Sequence, residues 1–246
     1  MNYFAEAIAW LTDPANYIGP SGIPTRLAEH VQFTVVTVLI ASAIAVPIGF
    51  LIGHTGRGRG LAVSISGAFR SIPTLGLLTL VALWVGIGLE APYVALTILA
   101  IPPILAGAYA SFEAVDRRTI DAARAVGMSE LQIVQKVEIP LGLPLLIGGI
   151  RSAILQVVAT ATLAAYVANF GLGRFLFEGA KTLNYAEMLG GSIIVILLAL
   201  VFDGVLALVQ RLVVPRGVTA GRPRDVRSRP ARSRAVMGTP IEEGKN

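Results

Sequence analysis

The amino-acid sequence predicts an all-α, polytopic membrane protein built as a bundle of about five transmembrane helices. The mean hydropathy is +0.72 and only 14% of the 246 residues are charged, a composition typical of chains whose main solvent is lipid. Several apolar stretches are long enough to span a bilayer, since about 20 residues with a rise of 1.5 Å each cross the hydrocarbon core. Basic residues concentrate in alternate loops, as they do in multi-pass membrane proteins.

Residues 1–29 are expected to form an external, interfacial lead-in to the first span. Phe4, Ile8 and Leu11 fall on one helical face, and Trp10 suits the headgroup layer. Proline and glycine then interrupt the helix at Pro14, Gly19, Pro20, Gly22 and Pro24.

The transmembrane domain is expected to cover residues 30–214. The second span carries Arg70 and Pro73, and periodicity does not distinguish one kinked helix from a short helix followed by a span. The third contains Pro102-Pro103, which should kink or locally unwind it. The spans are predicted at residues 31–52, 61–89, 92–112, 141–170 and 189–214.

Arg70, Arg151 and Asp203 are the candidate polar or gating groups inside these spans. Charges within a membrane are costly and usually have partners or water. Either arginine could extend its side chain to the interface, and Asp203 could pair with either of them or lie near the cytoplasmic end of its span. A structural or topogenic role is favoured over a gating role.

Small residues recur in the first and fourth spans and are expected to allow close packing of helices in lipid. Such a line is more often a packing surface than a pore lining, so we assign none of them to substrate. The positions are Ala41, Ser42, Ala43, Ala45, Gly49, Ala159, Ala161, Ala164 and Ala165.

Loop charge predicts the orientation of the spans. Arginine and lysine concentrate at residues 54–60, 113–140 and 215–246, whereas the opposite side is richer in acidic residues. This places the N-terminus outside and the C-terminus in the cytoplasm. Residues 215–246 are expected to form a basic, disordered cytoplasmic tail, because they hold few apolar anchors. The tail could contact anionic lipid at about 1 kcal/mol per charge, but a solvated topology determinant is the favoured interpretation.

The polar segment at residues 113–140, between the third and fourth spans, is the most informative part of the sequence. Ala122 and Ala123 favour helix and leave a thin surface that a partner protein can approach closely. Gly127 can adopt a left-handed conformation, which allows a turn between two short helices. The second helix is expected to end at Pro140. The alternative is an ordinary solvated helical hairpin.

The composition lacks groups that other functions need. Cysteine is absent, and the two histidines, His30 and His54, both flank the first span, so the sequence offers neither a thiolate site nor a histidine metal cluster. A membrane-embedded enzyme would need paired carboxylates, a Ser or His dyad, or metal ligands at one depth. An autonomous channel would need a selectivity ring and would leave the alanine–glycine loop unexplained.

The loop resembles the Glu-Ala-Ala loop that marks the membrane subunits of ABC importers. Asp121 stands where that family has Glu, and Val137 and Ile139 replace its Ile and Leu. The matching residues are Asp121, Ala122, Ala123, Gly127, Val137, Ile139 and Pro140. Residues 69–75, 148–151, 160–166 and 171–173, together with Asp203, resemble the glycine betaine/osmoprotectant permeases, a branch of the type I importers.

The resemblance implies a type I ABC importer permease-like bundle in the inner membrane, without enzymatic activity. Its substrate would be a compatible solute such as glycine betaine, choline, carnitine or proline; the alternative is a type I permease for methionine or another small solute. The implied partners are an ABC ATPase that docks on the matching loop residues, a second permease copy or paralogue, and an external solute-binding protein. ATP and Mg would bind the ATPase, with no cofactor in this chain. No nucleic-acid partner is expected.

The aromatic content predicts where selectivity resides. A quaternary ammonium solute would be bound by an aromatic cage, but only 7% of the residues are aromatic and Trp84 stands alone in its span. We expect selectivity mainly in the external binding protein. The alternative is a tight intramembrane site around Trp84, Tyr109 or Tyr166.

Overall fold

The computed structural model describes residues 2–214. The predicted basic tail, residues 215–246, lies outside the described residues, so its prediction stands untested. Between residues 2 and 214 the chain is helical throughout, with short connections. The helices are α1 (Tyr3–Thr12), α2 (Ile23–Thr55), α3 (Arg59–Ser71), α4 (Thr74–Val85), α5 (Glu90–Glu113), α6 (Arg117–Ala125), α7 (Glu130–Ile133), α8 (Ile139–Thr160), α9 (Gly173–Thr182) and α10 (Tyr185–Val213).

Four helices among the described residues are long and apolar enough to cross a membrane: α2, α5, the continuous helix Glu130–Tyr166, and α10. The predicted second span is a bent pair, because α3 and α4 meet at 89°. The bend lies at Ile72, which is extended rather than helical, as expected for a residue that precedes proline. The expected five spans are reached only when this pair counts as one.

The third span stays helical across its two prolines. α5 keeps helical backbone through Pro102 and Pro103, so of the kink or local unwinding expected there, the unwinding is absent. Pro103 cannot donate to the carbonyl of Leu99, but Nε2 of Gln156 on α8 donates to that oxygen at 3.2 Å. A side chain from the neighbouring helix thus satisfies the carbonyl that proline leaves free.

The helix α5 is the centre of the bundle and packs chiefly against α2 and α8. Within the most apolar stretch of each helix, 61% of α5 is buried, against 6% of α10. Glycine allows the closest approach: a Cβ on Gly107 would lie 2.7 Å from Cα of Gly149, and one on Gly53 would lie 2.7 Å from the carbonyl oxygen of Tyr109. Ala41 and Ala45 are fully buried in the same core, as expected of packing positions.

The fourth span begins earlier than expected, because Pro140 does not end the preceding helix. The chain stays helical from Glu130 to Tyr166, passing through a π-helical segment at Val134–Glu138. A π-helical turn shifts the hydrogen-bond register, so the missing N–H of Pro140 falls where the α-helical pattern is already interrupted. The α-helix then ends at Thr160 and tightens into a 3₁₀ turn at Ala161–Tyr166, short of residue 170.

The N-terminal lead-in forms a helix that packs on the bundle. The ring of Trp10 contacts Phe175 edge-on, with 5.1 Å between centroids. Phe4 and Ile8, on the predicted apolar face, are 69% and 59% exposed, which suits a side that faces lipid. The first span begins at Ile23, with Pro24 in its first turn, so Pro24 starts the long helix instead of breaking one.

Candidate functional site

The segment between α5 and α8 forms a compact pair of short helices, which we call the α6–α7 hairpin (residues 117–133). Its interior is a small apolar core of Val115, Ile120, Ala123 and Ile133, with Met128 and Val137 packed against it. Asp116 caps α6 by accepting from the N–H of Arg118 at 2.9 Å. Ser129 and Gln132 form a capping box at the start of α7. These caps satisfy N–H groups that short helices otherwise leave unpaired.

Gly127 makes the turn between the two helices, as the sequence predicted. Its φ is +87°, a conformation that glycine adopts without steric cost. The N–H of Gly127 donates to the carbonyl of Arg124 at 2.9 Å, and the N–H of Met128 donates to that of Ala123 at 3.1 Å. This pair of bonds is the Schellman ending of a helix. A Cβ at Gly127 would meet nothing within 4 Å, so the requirement for glycine is conformational.

The exposed end of the hairpin contains only part of the predicted docking set. Asp121, Ala122 and Gly127 are exposed, together with Val126 at 79%. Ala123 is 8% exposed, so it supports the hairpin from inside and does not present a surface to a partner. The helical periodicity of α6 explains the difference, because adjacent residues point about 100° apart. Val137, Ile139 and Pro140 lie along the next helix, half-buried.

Ion pairs brace the hairpin at its tip. Nε and Nη2 of Arg124 donate to the two carboxylate oxygens of Glu130 at 2.7 and 3.0 Å, and Nη1 donates to Asp121 at 3.3 Å. The hydrogen bonds that Arg124 donates to the Glu130 carboxylate raise the pKa of its guanidinium. The sequence contained a signal for the first pair: the residues have opposite charge and lie six apart across a predicted turn.

Two of the three candidate groups inside the spans come together. Arg151 donates from Nε and Nη2 to the two oxygens of Asp203 at 2.5 and 2.6 Å. Of the partners left open for Asp203, the structure therefore selects Arg151. Arg70 is exposed on α3 and forms no ion pair with any residue of the described segment 2–214.

The hairpin, α8 and α10 all lie within the part of the chain that matches a known protein family. The model of the family described as binding-protein-dependent transport system inner membrane component matches residues 45–217. The chain belongs to this family. It is therefore an inner-membrane, multi-pass permease component of a transport system that works with an ATPase and a solute-binding protein.

Relatives of this permease agree with that assignment. It is 30% identical to the choline transport system permease protein OpuBB of Bacillus subtilis, over 77% of this chain and 88% of the relative. It is 28% identical to the glycine betaine/carnitine/choline transport system permease protein OpuCB of the same organism, over 78% of this chain and 89% of the relative. It is 27% identical to the osmoprotectant import permease protein OsmW of Salmonella typhimurium, over 87% and 99%.

Solved structures show the same fold. The permease is similar to a chain of the MetNI methionine ABC transporter in an inward-facing conformation, with a TM-score of 0.69 and 25% sequence identity, covering 85% of this chain and 98% of that one. An amino acid ABC transporter with histidines also aligns, with a TM-score of 0.62 and 18% identity. The expected type I importer bundle is thus confirmed.

The three aromatic residues considered for a tight intramembrane site, Trp84, Tyr109 and Tyr166, do not converge on one site. Trp84 is 81% exposed and Tyr166 is 58% exposed. Tyr166 contacts Phe177 at 5.9 Å between ring centroids, whereas no ring contact joins any two of Trp84, Tyr109 and Tyr166 within residues 2–214. The described structure therefore holds no cage from these three rings.

Proposed function

We propose that this chain is the permease subunit of an ATP-driven importer for a compatible solute such as glycine betaine, choline, carnitine or proline. The observation that carries the proposal is the family match across the α6–α7 hairpin and the last two spans. The named relatives that transport choline, carnitine and glycine betaine align over most of this chain. Similarity to a methionine transporter supports the shared fold, and methionine or another small solute is the second candidate.

The α6–α7 hairpin is the element that engages the ATPase in this proposal. Its tip exposes the short side chain of Ala122 and the turn at Gly127, which lets a partner approach the backbone closely. Its own core and caps keep that tip rigid. In this proposal ATP and Mg bind the partner ATPase and not this chain. In this proposal the hairpin lies on the cytoplasmic side, with the N-terminus outside and the C-terminus inside, and the basic residues of residues 113–140 support that orientation.

A second permease copy or a paralogue completes the passage. Support comes from the apolar faces that the single chain leaves exposed among its described residues. Leu83 and Trp84 of α4 are 85% and 81% exposed, and Leu200 and Val201 of α10 are 62% and 61% exposed. Surfaces of this kind require either lipid or another helical subunit.

Selectivity resides in the external binding protein, and this subunit forms half of a low-affinity passage. Recognition of a quaternary ammonium group needs several ring faces at one point. The separate positions of Trp84, Tyr109 and Tyr166 argue against a cage formed by these three rings.

Uptake into vesicles that contain the permease, its ATPase and its binding protein tests the proposal. Labelled glycine betaine or choline should enter only when ATP and the binding protein are both present, and excess methionine should not compete. Competition by methionine would favour the second candidate. Equilibrium binding to the permease–ATPase complex alone should be undetectable. Micromolar binding that is lost on Trp84→Ala or Tyr166→Ala would contradict the low-affinity passage.

A further inference from the structure

A series of polar contacts connects the end of α2 to the α6–α7 hairpin. His54, two residues before α2 gives way to a glycine turn, lies between two carboxylates. Its Nδ1 is 2.7 Å from Oε2 of Glu138, and its Nε2 is 3.5 Å from Oε2 of Glu130. Glu130 in turn accepts two hydrogen bonds from Arg124 on α6. The chain of contacts therefore runs from α2 to the helix that carries the exposed tip.

The carboxylate of Glu138 makes this arrangement more than a surface ion pair. Its side chain is 1% exposed, and it lies in the π-helical segment that leads into α8. Removal of a carboxylate from water is costly unless it is paired and hydrogen-bonded. His54 supplies the side-chain hydrogen bond that Glu138 receives within residues 2–214. The imidazole therefore fixes where the hairpin segment sits against α2.

The C-terminal end of α2 also packs closely against α5 at the centre of the bundle. Gly53, adjacent to His54, lies so close to α5 that an added Cβ would fall 2.7 Å from the carbonyl oxygen of Tyr109. Gly49 makes a similar approach one turn earlier, against Ala108. A force applied to His54 is thus applied to a packed pair of helices and not to a free chain end.

We propose that His54 is a positioning residue that transmits displacement of the α6–α7 hairpin to α2 and, through it, to α5. This inference rests on the proposed docking of the ATPase on the hairpin. The imidazole binds neither nucleotide nor solute; it holds Glu138 and Glu130 against the end of α2, so that the two parts move together.

Substitutions at His54 test this role in the reconstituted complex with its ATPase and binding protein. In His54→Leu both polar contacts are lost, whereas the amide nitrogen of His54→Asn can occupy the place of Nδ1 and keep the bond to Glu138. The amide of His54→Gln reaches the place of Nε2 instead. Arg57→Gln is the matched control, because it removes a charge beside the same turn without touching these contacts.

The readout is solute transported per ATP hydrolysed. We expect His54→Leu to retain the ATPase on purification but to lower this ratio about tenfold, a typical size for coupling between sites. His54→Asn should stay near wild type, and Arg57→Gln should equal it. An unchanged ratio in His54→Leu, or equal ratios in His54→Asn and His54→Gln, would overturn the proposal. The comparison of His54→Asn with His54→Gln still tests the positioning role of His54 when the leucine variant fails to assemble.

Failure of the docking proposal is recognised separately. Ala122→Cys in an otherwise wild-type permease should cross-link to the ATPase through a bifunctional reagent that joins its thiol to a lysine amine of the partner. Absence of that cross-link would remove the hairpin as the docking site whatever the His54 variants do. A cross-link with an unchanged transport ratio in His54→Leu would leave docking intact and remove only the role of His54.

Discussion

Arg151 of α8 and Asp203 of α10 are joined by two parallel hydrogen bonds, with Nε to Oδ1 at 2.5 Å and Nη2 to Oδ2 at 2.6 Å. The geometry is bidentate, which a guanidinium forms with a carboxylate and a lysine could not reproduce. It matters because α10 is the least buried of the long helices. The pair gives the last span a directional attachment to the bundle that apolar packing in lipid does not supply.

We expect Asp203→Asn to lower the thermal stability of the purified permease, because it leaves the Arg151 charge without its partner inside the membrane. The double variant Arg151→Gln with Asp203→Asn should lose less than the sum of the single losses, since neither charge remains unpaired. Melting curves of the complex in detergent measure both. Arg70→Gln is the control and should have little effect, as Arg70 makes no ion pair in the described chain. If the double variant loses as much stability as the two single variants added together, Arg151 and Asp203 do not stabilise each other.

Two adjacent glycines of α8 should respond differently to alanine. A Cβ at Gly149 would lie 2.8 Å from Cα of Gly107 on α5, whereas one at Gly148 would meet nothing within 4 Å. We expect Gly149→Ala to cost about 1–3 kcal/mol through overpacking against backbone. Gly148→Ala should be neutral or slightly stabilising, since alanine favours helix. The measurement is the melting temperature of the two variants side by side, and equal values would show that α5 and α8 can separate without cost.

Position 127, in the turn of the α6–α7 hairpin, should tolerate only residues that can adopt a left-handed backbone conformation. Gly127→Val places a β-branched residue at φ +87° and should cost roughly 1–2 kcal/mol locally. We expect normal membrane insertion and loss of stimulated transport, because the tip loses its shape. Gly127→Asn is the matched control, since asparagine accepts this conformation. Full transport by a well-expressed Gly127→Val variant would remove this turn from the mechanism.

The sequence predicted the fold class and the turn at Gly127 because both depend on local properties, namely apolar length and left-handed backbone. It left open whether Asp203 pairs with Arg70, pairs with Arg151 or lies near the cytoplasmic end, since the choice depends on how α8 and α10 pack. It missed His54 with Glu138, which are 84 residues apart and carry no common periodicity. The sequence also assigned Ala123 to the docking surface, whereas its side chain is buried, because composition does not tell which face of a short helix turns inward.

Proline was the least predictable residue, because its effect depends on what neighbouring backbone and side chains supply. Pro140 was expected to end a helix, yet the π-helical segment before it accommodates the ring. Pro103 was expected to disturb α5, yet Gln156 satisfies the carbonyl that the ring leaves without a donor. Neither compensation has a signal within the local sequence.

The contact between Gln156 and Leu99 yields the most specific test of that explanation. Leu99 is 5% exposed, so its carbonyl has little access to water. Gln156→Leu should destabilise the permease by about 1–3 kcal/mol, the usual cost of a buried polar group without a partner.

Pro103→Ala restores a backbone N–H four residues after Leu99, which can donate to the same oxygen. In the Pro103→Ala background, Gln156→Leu should therefore cost much less than it does alone. Thermal melts of the four proteins in this cycle give the coupling energy directly. A cost for Gln156→Leu that is the same in both backgrounds would mean that the glutamine stabilises α8 by packing and does not replace the bond that proline removes.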